Sequence, residues 1–153
     1  MDSSSTAPAP RTDKVRKRLF AIAAVIALFG LGDGIFLTVE HITGRTAQCI
    51  ASSGCQEVLS SQYATVGPVP LAAIGALAYF TAFSTALLAV FGSAQARKFF
   101  ALVAGMMFAT SLWLLYVQAF VLHAFCDYCL FSAGVSSTLT AIVITNALIR
   151  RSP

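Results

Sequence analysis

The sequence predicts an all-α membrane protein, a bundle of four membrane-spanning helices with a short surface helix in the first outer loop. Three observations favour this fold: an apolar composition, four long apolar stretches, and basic residues grouped at alternate ends of those stretches. Hydrophobic residues make up 58% of the 153 residues and charged residues only 10%, and the mean hydropathy is +0.80. So few polar groups could not cover a water-soluble globule of this size.

Four apolar stretches are each long enough to span a bilayer: residues 19–39, 71–91, 99–122 and 130–149. A hydrocarbon layer of roughly 30 Å needs about 20 helical residues. The first stretch is not a signal peptide, because its apolar run exceeds the length of about 7 to 15 residues typical of one and no small-x-small cleavage motif follows. We therefore expect one membrane domain over residues 19–149, between a disordered basic tail (1–18) and a short tail (150–153).

The basic residues predict the orientation of the chain. Nine of the ten Lys and Arg residues lie before the first stretch, between the second and third, or after the fourth, and only Arg45 lies elsewhere. In a four-helix protein those three regions share one face, which the positive-inside rule makes cytoplasmic. We expect a multi-pass protein of the cell (plasma or inner) membrane with both termini cytoplasmic. The net charge of +4 then reflects topology in the lipid bilayer, and no nucleic-acid binding is expected.

All four cysteines fall in the predicted outer loops, where an oxidising exterior lets disulfides form and persist. Cys49 and Cys55 lie in the first outer loop, and Cys126 and Cys129 form a Cys-x-x-Cys pair at the start of the last helix. The positive end of a helix lowers a thiol pKa, so this pair is a candidate redox centre. Static disulfides are the alternative, and four cysteines allow three pairings.

The first outer loop also carries signals of local structure. Ser53 and Gln56 have the spacing of a capping box and predict a short surface helix that begins near Cys55. The segment Gly67-Pro68-Val69-Pro70 predicts an extended connection into the second spanning helix.

Other residues support more than one interpretation. Asp33 lies inside the first span, where an ionisable side chain is by default a candidate functional group, although it could instead reach polar loop atoms. Trp113, Tyr116 and Phe120 on the third span could line a pocket or anchor the helix at the membrane interface.

Metal chemistry is not expected. Only His41 and His123 could join the cysteines, too few for a persuasive closed zinc site of four ligands. A c-type haem is excluded because Leu130 stands where the Cys-x-x-Cys motif requires His.

The order of these features resembles a known family. The features are a loop cysteine pair ending in Gly54-Cys55, then Ser60-Ser61, Gly67 with Pro70, a helix with Gly75 and Tyr79, and Phe125-Cys126-x-x-Cys129 at the start of the last helix. In this order they resemble the vitamin K epoxide reductase family over residues 19–149.

The resemblance implies roles for the four cysteines. Cys126 and Cys129 would be the active-site pair beside a bound quinone (menaquinone or ubiquinone), with the Cys129 thiolate facing the quinone ring. Cys49 and Cys55 would relay electrons, Cys49 exchanging with an outside thiol partner and Cys55 with Cys126.

The resemblance also places Ser61, Tyr63 and Tyr79 near the quinone. Leu71 stands where vertebrate members carry an Asn, and no Tyr follows the cysteine pair in the last helix, so epoxide reduction is not expected. Because the chain ends at Pro153 without a thioredoxin-like domain, the expected partner is a separate thioredoxin-fold protein on the outer face.

The sequence therefore predicts a quinone-dependent thiol oxidoreductase that reoxidises an exported carrier and supports disulfide bond formation. The alternative from another class is a non-enzymatic membrane subunit whose outer loops carry structural disulfides. Within the enzyme class, the unrelated bacterial four-helix disulfide generator has its Cys-x-x-Cys in the first outer loop, the reverse of the order here.

Overall fold

The computed structural model describes residues 10–45 and 47–151. Its long helices are α1 (Pro10–Ile42), α3 (Leu71–Val90), α4 (Ala94–Tyr116) and α5 (Asp127–Arg151). A short helix, α2 (Cys55–Leu59), lies between α1 and α3, and a π-helical turn (Val117–Leu122) extends α4. All four long helices are apolar and long enough to cross a membrane, which confirms the predicted fold class.

The helices pack through small side chains. Alanines recur along the buried faces of α1, α3 and α4, and larger side chains fill the space between them. One such contact is the edge-to-face pair of Phe20 and Phe100, with ring centroids 5.5 Å apart. Small residues let helix backbones approach closely, which is a main source of packing energy between helices in lipid. The most extensive packing is between α1 and α3.

The glycines of α1 show how close this approach is. A Cβ atom built on Gly34 would lie 3.0 Å from the Ala76 backbone nitrogen and 3.1 Å from its Cα, whereas one built on Gly32 would meet nothing within 4 Å. Gly34 therefore allows α3 to lie against α1, and Gly32 faces open space.

The loop between α1 and α3, which the sequence analysis expected on the outer face, contains more structure than the sequence predicted. After α2, residues Gln62–Ala64 form a 3₁₀ turn, and β1 (Thr65–Val66) pairs antiparallel with β2 (Val69–Pro70). The predicted extended connection is correct for β2 but misses the hairpin, in which Gly67 takes a φ of +61°. Glycine adopts that conformation without steric cost, so the chain reverses there.

Two further expectations are wrong. The predicted tail over residues 1–18 is helical from Pro10 onward, because Pro suits a first helical turn and Asp13 forms ion pairs with Arg16 (3.2 Å) and Lys17 (3.4 Å) on the same helix face. Residues 1–9 lie outside the described residues. The N-cap of α2 is Gly54 with no side-chain cap bond, so Ser53 does not form the predicted capping box, although α2 does begin at Cys55.

We expect Gly34→Val to lower the free energy of unfolding by about 1–3 kcal/mol, because the added side chain overpacks the α1–α3 contact. Gly32→Val is the matched control, since it adds the same β-branched side chain to the same helix in open space. Thermal and denaturant unfolding in detergent micelles measures both. Equal destabilisation by the two variants would contradict this account of the interface.

Candidate functional site

The four cysteines lie together at one end of the bundle. Cys49 and Cys55 form a disulfide, and Cys126 and Cys129 are free thiols. Cys55 and Cys126 are both buried in one apolar cluster, with exposed fractions of 1% and 0%. The two pairs that the resemblance assigned to a relay are therefore neighbours, with one oxidised and the other reduced.

Cys126 caps the amino end of α5. Its carbonyl accepts the first helical hydrogen bond, from the Leu130 N–H at 3.0 Å, and the backbone N–H groups of Tyr128 and Cys129 favour its thiolate. The first N–H groups of any helix lack partners within the helix. A sulfur placed there satisfies them and lies at the positive end of the helix dipole.

This position activates the thiol. A hydrogen bond from the Cys129 thiol, together with the N–H bonds of the first turn, lowers the pKa of Cys126 to about 7 despite its burial. Because the thiolate is the nucleophile in disulfide exchange, Cys126 can react near neutral pH.

The loop between α1 and α3 is held directly against this pair. The Asp127 carboxylate accepts hydrogen bonds from the backbone N–H groups of Ala51 (2.6 Å) and Ser52 (3.2 Å). The Ser52 hydroxyl donates to the Phe125 carbonyl at 2.7 Å, and the Tyr128 hydroxyl donates to the Gln48 carbonyl at 3.1 Å. The residue before the Cys-x-x-Cys pair and the two residues between its cysteines therefore fix the loop that carries the disulfide.

Gly54 lets the loop approach the pair. A Cβ on this residue would lie 2.7 Å from the Phe125 carbonyl oxygen and 2.8 Å from its nitrogen, closer than real Cβ contacts allow. Its φ of −91° is open to any residue, so a glycine is needed here for space and not for backbone conformation. This close approach brings Cys55 beside Cys126.

The carboxylate of Asp127 also lies within 4.8 Å of both sulfurs of the loop disulfide. Three such groups at this spacing could hold a metal ion, but thiolates are the metal ligands and both sulfurs are bonded to each other here. The observed role of Asp127 is to hold the loop backbone.

The chain reverses between α4 and α5 in a strained and unusual segment. The π-helical turn ends at His123, which adopts φ 51° and ψ 31°, the only positive φ at a non-glycine residue in the described ranges. Gln118 on this turn is 1% exposed, and its Oε1 accepts the N–H of Cys126 at 2.9 Å. π-Helical turns are frequent at functional sites, and this one positions the backbone of the reactive cysteine.

A cavity of about 640 Å³ opens between the helices beside the cysteines. Its walls come from the carboxyl halves of α1 and α4 and the amino halves of α3 and α5, and most of its lining is apolar. This volume and lining are typical of small-molecule sites. Of the four cysteines, only Cys129 lines it.

The three residues expected near a quinone all line this cavity: Ser61, Tyr63 and Tyr79. The Ser61 hydroxyl donates to the Val58 carbonyl at 2.7 Å. The Tyr79 hydroxyl lies 2.7 Å from Ser132 Oγ and donates to the Ser132 carbonyl at 2.9 Å. Their positions agree with the expectation, and their roles remain predictions.

Asp33 also lines the cavity. Within the part of the chain that the structure describes, its carboxylate has no hydrogen-bond or ion-pair partner, so the suggestion that it reaches polar loop atoms finds no support. Trp113, Tyr116 and Phe120 stack on one another but lie outside the cavity lining, each more than half exposed. They suit the role of lipid-facing anchors, and the pocket interpretation is wrong for them.

Sequence reasoning missed two residues of this site. Asp127 lies inside the Cys-x-x-Cys motif, but its partners are about 75 residues away in the chain and no local pattern indicates them. Gln118 had a signal, since it is the only amide in the apolar run 112–122 and polar residues inside a membrane segment are expensive.

Comparison with known proteins finds a matching family. The sequence pattern of the vitamin K epoxide reductase family matches residues 21–144, a range that contains both cysteine pairs. The thiol-disulfide oxidoreductase LTO1 of Arabidopsis thaliana is 37% identical over 116 residues, which are 70% of this chain and 31% of the plant protein. The chain thus spans about a third of the length of that curated relative.

We expect Gly54→Ala to slow the reaction between Cys55 and the Cys126–Cys129 pair, called the inner pair below, by about tenfold or more. The added methyl group pushes the loop away from Phe125 and misplaces the reacting sulfurs of Cys55 and Cys126. The measurement is the rate at which added diamide, a thiol oxidant, converts the Cys55 and Cys126 thiols to a Cys55–Cys126 disulfide in a protein that also carries Cys49→Ser and Cys129→Ser, followed by peptide mapping. Ser53→Ala, an exposed neighbour, is the control. An unchanged rate in Gly54→Ala would show that the close approach is not needed.

We expect the thiolate of Cys126 to titrate with a midpoint near pH 7, seen as ultraviolet thiolate absorbance in protein that keeps the loop disulfide. The thiolate fraction falls as the pH drops through this pKa. Cys129→Ala removes the hydrogen bond that favours the thiolate, so the midpoint should rise and the thiolate at pH 7 should fall several-fold. A midpoint unmoved by Cys129→Ala would refute this cause, and Cys126→Ala identifies the titrating group by removing the transition.

Proposed function

Because the chain belongs to the vitamin K epoxide reductase family, a membrane thiol oxidoreductase family, we propose that it passes electrons from an exported thiol carrier through its two cysteine pairs to a membrane quinone. The proposed carrier is a separate thioredoxin-fold protein, and the proposed acceptor is menaquinone or ubiquinone. The proposed result is a reoxidised carrier that makes disulfides in exported proteins.

One observation carries this proposal: Cys129 lines the cavity, whereas Cys126 is buried beside the loop disulfide. The inner pair thus lies between an apolar cavity on one side and an exchangeable disulfide on the other. A quinone is apolar and resides in the bilayer, so a cavity between membrane helices suits it. This arrangement supports a relay with one entrance for electrons and a separate exit.

The entrance would be Cys49, which is partly exposed. A carrier thiolate attacks the Cys49 sulfur, Cys55 leaves as a thiolate, and the second carrier thiolate resolves the mixed disulfide. The carrier is thereby oxidised and the loop pair is reduced by two electrons. Ile50, 89% exposed beside Cys49, offers the partner an apolar contact.

The next step transfers these electrons inward. The Cys55 thiolate attacks Cys126 in the oxidised inner pair and releases Cys129 as a thiolate, and Cys49 then attacks Cys55. This closes the loop disulfide again and leaves Cys126 and Cys129 reduced. The structure has this distribution, an oxidised loop pair beside two free thiols.

The last step closes the inner disulfide. Cys126 and Cys129 form their S–S bond and deliver two electrons and two protons, which convert the quinone to the quinol. In sum, one carrier dithiol and one quinone become one carrier disulfide and one quinol, so electrons and protons balance. Cys129 is the sulfur proposed to face the quinone in this step because its side chain lines the cavity.

The proposed orientation follows from the charges. Arg16 and Arg97 lie at the end of the bundle away from the cysteines, and the positive-inside rule makes that end cytoplasmic. The cysteines then face the oxidising side, where the carrier operates. Two purely structural disulfides are less well supported, because Cys126 and Cys129 are free thiols. The lowered pKa of Cys126 also favours its thiolate, which is the nucleophile in disulfide exchange.

The test is quinone reduction by the purified protein with a reduced thioredoxin-fold substrate. Cys129→Ala should abolish turnover with every reductant. Cys49→Ala should abolish turnover with the protein substrate but recover it with dithiothreitol, which can reach the inner pair without the relay.

Two outcomes would overturn the proposal. One is protein-thiol oxidation at the wild-type rate in both variants. The other is a folded wild-type protein that reduces neither a short-chain menaquinone nor a short-chain ubiquinone.

A further inference from the structure

Gln118 carries a buried side-chain amide whose nitrogen has no hydrogen-bond partner among the described residues. It lies on the π-helical turn that follows α4, and only 1% of its surface is exposed. Its Oε1 accepts the Cys126 N–H at 2.9 Å, but its Nε2 has no hydrogen-bond partner. Buried polar atoms are nearly always paired, so an unpaired donor in this position needs an explanation.

The orientation of the amide is not ambiguous. The Cys126 backbone N–H can only donate, so the atom that faces it must be the side-chain oxygen. The amide nitrogen, with its two protons, is then fixed on the other side of the group. Rotating the amide to give this nitrogen another partner would leave the Cys126 N–H unpaired.

Gln118 and Cys129 line the same cavity. The lining of that cavity is mostly apolar, and it offers the amide no acceptor within hydrogen-bond distance in the described residues. Because Nε2 is itself buried, a molecule that enters the cavity can supply the missing acceptor after a small shift of the Gln118 side chain. It would need a hydrogen-bond acceptor on an otherwise apolar body, placed next to a reactive thiol.

We propose that Gln118 Nε2 donates a hydrogen bond to a carbonyl oxygen of the quinone that is reduced at Cys129. This inference rests on the proposed function and adds a specific substrate contact to it. A quinone carbonyl gains negative charge as it accepts electrons, so a donor fixed in a dry site stabilises the reduced form more than the starting quinone. The same side chain holds the backbone of Cys126, and it thus positions substrate and thiol pair relative to each other.

Infrared difference spectroscopy tests the contact in the wild-type protein itself. A hydrogen bond to one carbonyl should shift that C=O band of a bound short-chain menaquinone to lower frequency than the other. Two unshifted carbonyl bands would overturn the inference without any variant. A shift that persists in Gln118→Met would overturn it equally, because the donor must then be another group.

Kinetics separate this contact from a structural role. Gln118→Met is close in size but cannot donate, and we expect it to raise KM for the quinone by about tenfold, the loss of one hydrogen bond. Gln118→Glu keeps an oxygen for the Cys126 N–H and can donate only while its carboxyl is protonated. Its quinone KM should therefore approach the wild-type value at low pH and rise with pH, relative to the wild type at each pH.

Asn146→Leu is the matched control. Asn146 is also a buried amide with an unpaired atom, but it lies near the other end of α5, away from the cavity. Asn146→Leu should therefore leave the quinone KM and the carbonyl bands unchanged. Equal effects of Asn146→Leu and Gln118→Met would assign both to general destabilisation and overturn the inference.

The two proposals fail in different ways. A wild-type protein that reduces no quinone removes both. A wild-type protein that reduces quinone through Cys129, with KM unchanged in Gln118→Met and Gln118→Glu, removes only the role of Gln118.

Discussion

The structure depends on how the chain pairs the backbone N–H groups between α4 and α5 with hydrogen-bond acceptors. A helix that starts inside or near the apolar layer exposes N–H groups that water cannot reach, and each would be costly if left unpaired. Here the N–H groups of Tyr128 and Cys129 favour the thiolate of Cys126, and Gln118 accepts the N–H of Cys126 itself. A requirement of membrane folding thus places a thiol where its anion is favoured.

This backbone pairing has consequences on both sides of the first turn of α5. Toward the loop between α1 and α3, Asp127 and Phe125 bind the loop backbone and the Ser52 side chain, and Gly54 leaves room for this approach. Toward the bundle, the first turn of α5 brings Cys129 to the cavity wall. The inner pair therefore lies between the loop disulfide and the apolar cavity, with Cys126 buried beside Cys55 and Cys129 at the cavity wall.

Much of this could be predicted from the sequence, but the accuracy differed by feature. The four spans could be predicted from apolar runs alone. A helix needs about 20 apolar residues to cross the bilayer, and apolar runs of that length rarely arise by chance. The Cys-x-x-Cys pair at a helix start and the short helix at Cys55 were also local signals. The hairpin at Gly67 and the helical start of α1 were missed, since two-residue strands and ion-paired basic segments leave only weak patterns. The contacts of Gln118 and Asp127 join distant parts of the chain, and only the fold reveals them.

The hydrogen bonds of Asp127 have one more consequence, which concerns kinetics. They hold the loop by its backbone, at Ala51 and Ser52, so the attachment does not depend on the Cys49–Cys55 bond. When that disulfide opens, the loop stays in place and Cys55 faces Cys126 at a high effective concentration. In the proposed relay, the transfer between the pairs is then a first-order event within one molecule, and only the encounters with the proposed carrier and quinone depend on how abundant those partners are.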